Sequence, residues 1–398
     1  IVRLEVIPGK GKTDQRRVIP IRRNEVKLEE QAAQKEVIEF TDDADQTHRI
    51  GIIDIPAFYI DFEAYRNGDK NYRSTTRDVQ KLIDELVAEG VEGLVIDLRD
   101  NGGGSLQEAN QLTGLFIEYG PTVQIRSAES RVWRDGKRRK SRYYEGPLAV
   151  MINRLSASAS EIFAGAIQDY GRGIIVGEQS FGKGTVQSLV ALQEGQLKVT
   201  ESKFYRISGE STQHRGVIPD IEYPSLFDPE QIGESALDNA LAWDQIAPAR
   251  FNRYNDYRPI LPTLTDLHEK RAANDPDYLY LKDQVSLAKE ARTITALPLW
   301  QSGRLEMRDD QEQKALEIEN KRRVAKGLEP LATLNSGDTT DDTTNSEDAE
   351  GGTDSPGQED SEAELIGDVL LMETGRILVD TITLRPNTGL ASRGKRAG

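Results

Sequence analysis

Apolar and polar positions alternate along the first residues of the chain. Ile1, Val2, Leu4 and Val6 interleave with charged neighbours, and Val18, Pro20 and Ile21 repeat the pattern. This predicts two strands joined through a Gly-Lys-Gly-Lys turn. Twenty-seven residues cannot bury a core alone, so they read as the tail of a domain. The chain opens at Ile1, inside strand-like sequence, and reads as part of a longer protein.

From about residue 45 to 225 the pattern becomes α/β. Ile50–Ile55 is a short apolar strand closed by Pro56. Thr75–Glu89 places Val79, Leu82, Ile83, Leu86 and Val87 on one helical stripe, with Gly90 as its C-terminal stop. Val91–Leu98, Pro147–Asn153 and Ile174–Gly177 are buried strands. Leu106–Phe116 and Ser160–Tyr170 are helices. Such alternation predicts helices covering a partly parallel sheet. After residue 226 helical periods dominate, as in Pro276–Ala291 and Glu306–Lys326, and predict a separate helical region. Asn335–Glu364 has no Lys or Arg and only two alanines as apolar residues, so it predicts a disordered or solvated linker. Leu365–Thr381 is apolar enough to dock back as a helix or strand, and Arg393–Gly398 is a basic, frayed end.

The net charge of −16 over 398 residues opposes binding to nucleic acid or to an anionic membrane surface. Eleven of the acids lie in Asn335–Glu364, and removing them leaves −5 for everything else. The acidity therefore belongs mostly to one tether. No run approaches the roughly 18 apolar residues of a membrane span. The absence of cysteine removes disulfides, thiolate zinc sites and cysteine nucleophiles. His48, His214 and His268 sit in polar settings and read as solvated surface residues. Neither an H-E-x-x-H motif nor an EF-hand spacing is present, so no metal or cofactor is expected.

The informative stretch is 156–187. Ser156, Ser158 and Ser160 lie between a strand and a helix, where free N–H groups and the helix dipole favour an oxyanion. The competing reading is helix capping, which Ser160 with Glu161 fits best. Lys183 follows a buried strand and is flanked by Gly182 and Gly184. It reads as an exposed turn lysine, a general base or a phosphate ligand. The stretch from Gly177 to Lys183 matches G-x-x-x-x-G-K, but Gly184 stands where a nucleotide loop needs Ser or Thr, and Glu178 would repel phosphate. As a base, lysine must be neutral near pH 7, a state that desolvation beside Phe181 favours. A non-catalytic scaffold or adaptor role is the alternative from another class.

Four segments resemble the C-terminal processing (tail-specific) peptidases, serine proteases with a Ser–Lys dyad. They are LVIDLRDNGGG (94–104), NRLSASASEIFAGAIQDYGRG (153–173), VGEQSFGKGTVQ (176–187) and KFYRISGESTQHRGVIPDI (203–221). The region after 226 resembles the long periplasmic members from Gram-negative bacteria. The resemblance implies a mixed α/β protease core of the ClpP/crotonase-like type and a helical C-terminal domain. It implies Ser158 as nucleophile, 25 residues before the base Lys183. Gln187, one helical turn further, would orient the lysine, and Asp169 matches an acidic position linked to activity. The Ala159 N–H and one from Gly102 or Gly103 would form the oxyanion hole. On this reading 1–27 is the remnant of a PDZ domain and 28–225 the protease core. Residues 226–334 form the helical domain, 335–364 the linker, and 365–398 the docking segment and tail. The implied partners are polypeptides with apolar C-termini and an adaptor protein.

Overall fold

The computed structural model describes residues 1–7, 16–22, 32–42, 44–129, 131–138, 140–334 and 358–384. The chain divides into two compact units, Ile1–Ala32 and Ala33–Gly398. In the first, β1 (Val2–Val6) pairs antiparallel with β2 (Arg17–Ile21), Val2 opposite Ile21. Val2, Leu4, Val18, Ile19 and Ile21 are exposed, so this ribbon has no core of its own. The Gly-Lys-Gly-Lys turn lies outside the described residues, as do 335–357 and 393–398.

The second unit runs through β3 (Gln34–Thr41), β4 (Thr47–Asp54), α1 (Phe62–Arg66), α2 (Thr75–Ala88), β5 (Gly93–Asp97) and α3 (Leu106–Phe116). It continues with β6 (Gly120–Ser127), β7 (Val132–Lys137), β8 (Leu148–Ile152), α4 (Ala159–Asp169) and β9 (Ile174–Gly177). Next come β10 (Thr185–Ala191), β11 (Gln196–Tyr205), β12 (Ile221–Glu222), α5 (Leu261–Ala272), α6 (Pro276–Arg292), α7 (Gln301–Ala325) and α8 (Gln358–Leu384). Six strands form a sheet in the order β12-β9-β8-β5-β4-β3. All neighbours are parallel except β3, which closes one edge antiparallel to β4. A second, antiparallel sheet has the order β10-β11-β6-β7.

The central strands GLVID and LAVMI are buried at every position because both sheet faces are covered. Strand alternation divides their side chains between two cores. Leu94, Ile96, Leu148 and Val150 face α2, α3 and α4. Val95, Ala149, Met151 and Val176 face α5, α6 and α8. The helical region after 226 is therefore not separate: its helices form one layer of the same unit. The C-terminal apolar segment docks as a helix, and that helix starts at Gln358, within the stretch expected to be unstructured.

The histidine expectation fails for a related reason. His48 is buried between Asp42 and Glu92, and His268 is buried with its Nδ1 3.0 Å from Glu373 Oε1. Arg271 also binds Glu373 at 2.8 Å, so an ion-paired cluster ties α5 to α8. Around His48 and His268 the polar neighbourhoods are buried networks that Glu92 and Glu373, distant in sequence, complete. His214 is half-buried, with its N–H donating to Gly182 O at 2.8 Å.

Leu378 on α8 is fully buried and lies against Gly93 of β5, where a Cβ would come within 3.0 Å of it. Leu378→Ala is expected to lower stability by about 2–5 kcal/mol, from lost burial plus the cavity left behind. Urea denaturation measures this. An unchanged midpoint would show that α8 does not carry the second core.

Candidate active site

The carboxyl ends of β5 and β8, neighbours in the parallel sheet, each continue into a loop. Open parallel sheets bind ligands at such ends. After β5 comes Asn101-Gly102-Gly103-Gly104; after β8 comes the serine turn that starts α4. Asp100 N donates to Asn153 Oδ1 at 2.9 Å, and Ala157 N donates to Asn101 O at 3.0 Å, so the loops are stitched together. Gly103 has a φ of +101° and backs directly onto the serine turn, where a Cβ would lie 2.9 Å from Ser158 Cβ. Only glycine allows that approach.

The three serines are not equivalent here. Ser156 and Ser160 are fully buried, and their hydroxyls donate to Leu98 O and Asn101 O, each at 2.8 Å. Both serve to hold the loops. Ser158 is partly accessible and adopts φ +57°, ψ −108°. A non-glycine residue in that conformation costs about 1–3 kcal/mol unless its surroundings enforce it. Ser158 is also the N-cap of α4, displacing Ser160 from the capping role its sequence suggested.

What enforces the conformation is Glu161, fully enclosed one turn into the helix. Its Oε2 accepts from Ser158 N at 2.7 Å and from Lys183 N at 3.0 Å. Its Oε1 accepts from Ser180 Oγ at 2.6 Å and from Gly182 N at 2.7 Å. One carboxylate thus joins the serine turn to the lysine loop, and Phe181 N adds a bond to Ser156 O at 3.0 Å. Burial pushes the Glu161 carboxyl up to about 7, against the downward pull of its four donors. Sequence reasoning assigned this residue only to capping; nothing local signals that its partners lie about twenty residues away.

The same bonds dispose of the nucleotide-loop reading. A phosphate loop turns its free N–H groups outward and leads into a helix. Here the N–H groups of Gly182 and Lys183 point at Glu161, and the loop leads into strand β10.

Ser158 and Lys183 are brought together through Glu161. No hydrogen bond joins Ser158 Oγ to Lys183 Nζ among the described residues. Lys183 and Gln187 line one cleft. Lys183 precedes β10 by two residues and Gln187 lies within that strand, so their four-residue spacing is not that of a helical turn. Ala159 is the first helical residue, whose N–H has no partner within the helix. Gly103 N–H is already engaged by Asn101 Oδ1 at 2.9 Å, while Gly102 is exposed. Asp169 stands apart. It ends α4, about 16 Å along the helix from Ser158 at roughly 1.5 Å per residue. It is buried in an ion pair with Arg206 at 2.5 Å and receives Ser208 N at 3.3 Å.

Glu161→Gln keeps the size but turns an amide NH₂ toward backbone donors. The stability cost is expected at about 1–3 kcal/mol for each donor left unpaired. Folding raises the proton affinity of this carboxyl, so its contribution is complete below the ordinary value of 4.5 and is lost as pH rises toward about 7. Melting temperatures of the parent and the variant should therefore differ in their slope across that window. Parallel pH profiles would refute the assignment.

Residues 49–223 match Peptidase family S41, and residues 227–383 match the C-terminal domain of tail specific protease. The tail-specific protease of Haemophilus influenzae is 40% identical over 342 residues, covering 83% of this chain and 46% of that protein. The chloroplastic C-terminal processing peptidase of Tetradesmus obliquus is 38% identical over 160 residues, 39% of this chain and 33% of that protein. Among solved structures, the photosystem II D1 C-terminal processing protease aligns with TM-score 0.41 and 28% identity, over 57% of this chain and 56% of that one. The chain spans less than half the length of these two curated relatives. Two family matches in tandem account for most of its sequence, and the chain belongs to peptidase family S41, with the C-terminal domain of the tail-specific proteases.

Proposed function

We propose that this chain is the catalytic part of a periplasmic serine endopeptidase that cleaves polypeptides with exposed apolar C-terminal tails. The observation that carries the reading is the shared clamp. Glu161 holds both the strained backbone of Ser158 and the backbone of Lys183, and Lys183 lines a cleft. The names of the relatives, tail-specific and C-terminal processing proteases, support the substrate class.

In this mechanism neutral Lys183 takes the proton of Ser158 Oγ as the oxygen attacks the scissile carbonyl carbon. The resulting oxyanion accepts from Ala159 N–H and Gly102 N–H, at the positive end of α4. Collapse breaks the C–N bond, and Lys183 returns the proton to the leaving amine. A water then loses a proton to Lys183 and attacks the Ser158 ester, and Lys183 returns that proton to Ser158 Oγ as the C–O bond breaks and the new C-terminus leaves. Gln187, which lines the same cleft as Lys183, orients the amine. Hydrogen bonds between nucleophile and base often tighten only when substrate binds, so the open Ser158–Lys183 pair is compatible with this cycle. β1 and β2 are the end of a PDZ domain that captures substrate tails by strand addition, and an adaptor protein delivers substrates to it.

The test is proteolysis by the full-length protein of an unfolded substrate with an apolar C-terminal tail. Ser158→Ala and Lys183→Ala should each lower kcat by roughly 10³-fold or more. Wild-type rates in both variants would overturn the reading. Replacing the apolar tail by a charged one should slow cleavage in the parent.

A further inference from the structure

The cleft that Lys183 and Gln187 line has an opposite side, and it comes from beyond the S41 match. The cleft measures about 880 Å³, and across from Phe181, Lys183 and Thr185 it is closed by Glu234 and the stretch from Leu237 to Leu241. Leu237 and Leu241 line it while remaining 55% and 48% exposed. Large aliphatic side chains left open to water beside a catalytic lysine present an unfilled apolar surface.

This segment is anchored to the lysine loop. Glu234 N donates to Phe181 O at 3.0 Å. Gln213, fully buried, accepts Gly184 N at 2.8 Å and donates to Glu234 Oε1 at 3.0 Å. Arg154, also buried, donates to Ser180 O at 2.5 Å and to Ile232 O at 2.7 Å. Ile232 and Glu234, which lead into the leucine segment, are thereby tied to the loop that carries Lys183.

The facing side is a strand edge. β10 is outermost in its sheet. Gly184 O accepts from Phe204 N at 2.9 Å, so ladder alternation turns the N–H and C=O of Thr185 outward. Unpaired strand groups of this kind bind extended peptide.

Resting on the peptidase reading, we propose that an extended segment of polypeptide substrate lies along the outer edge of β10. Leu237 and Leu241 select an apolar side chain near the scissile bond. They are specificity-determining residues supplied by the C-terminal region to the S41 site.

Two measurements test this. In the full-length protein, Leu237→Asp combined with Leu241→Asp is expected to lower kcat/KM by at least about tenfold at bonds flanked by Leu, Ile, Val or Phe. Mass-spectrometric mapping of cuts in an unfolded protein should show those sites depleted. An unchanged rate and cut map would overturn the role of the leucines. A scan of one peptide substrate by single backbone N-methylation, with the unmutated enzyme, should block cleavage at alternating positions, and indifference at every position would overturn strand pairing. Ser158→Ala in the same assays separates the two levels: loss of all cleavage there, with an unchanged cut map in the leucine variant, sinks this inference and leaves the peptidase reading standing.

Discussion

A single buried carboxylate organises the site. Glu161 pays desolvation that pushes its proton affinity upward, and four donors from two segments compensate. Those segments are the serine turn and the loop from Ser180 to Lys183. Each alone is a short loop with polar backbone to satisfy. Joined at one acceptor, they have one arrangement in which every donor is paired, and that arrangement includes the left-handed backbone of Ser158. The hydrogen bonds to Glu161 offset both the strain at Ser158 and the burial of the carboxylate.

Much of the frame was legible in sequence. The helix predicted at Leu106–Phe116 and the strand at Ile174–Gly177 agree with the structure residue for residue, because long apolar periods and glycine boundaries announce buried elements. The second sheet was not read. β10 and β11 are mostly exposed, so they lack the one-sided burial that creates a period. The site was half legible. Local chemistry drew attention to three serines and one lysine, but ranking the serines required knowing where their hydroxyls point. Ser156 and Ser160 spend theirs on carbonyls of Leu98 and Asn101, nearly sixty residues away. Glu161, His48 and His268 share that limit, since Ser180 and Lys183, Glu92, and Glu373 respectively come beside them only after folding.

The boundary between the two family matches does not coincide with a physical boundary. Residues just past it bind Arg154 of the serine turn, close the cleft and lead on to helices that cover the sheet. The C-terminal region is part of the site's wall at one end and part of its core at the other.

The last described helix has a consequence for how the chain is made. Ile377 and Leu378 of α8 cover strands that are completed more than two hundred residues earlier. On a ribosome, the parallel sheet emerges with one apolar face that α5 and α6 cover only in part until α8 arrives. Contacts of such sequence separation carry a high loop-closure cost and form late. Serine and lysine are thus synthesised long before the core that supports them is closed. The nascent chain therefore passes through an extended period of exposed apolar surface.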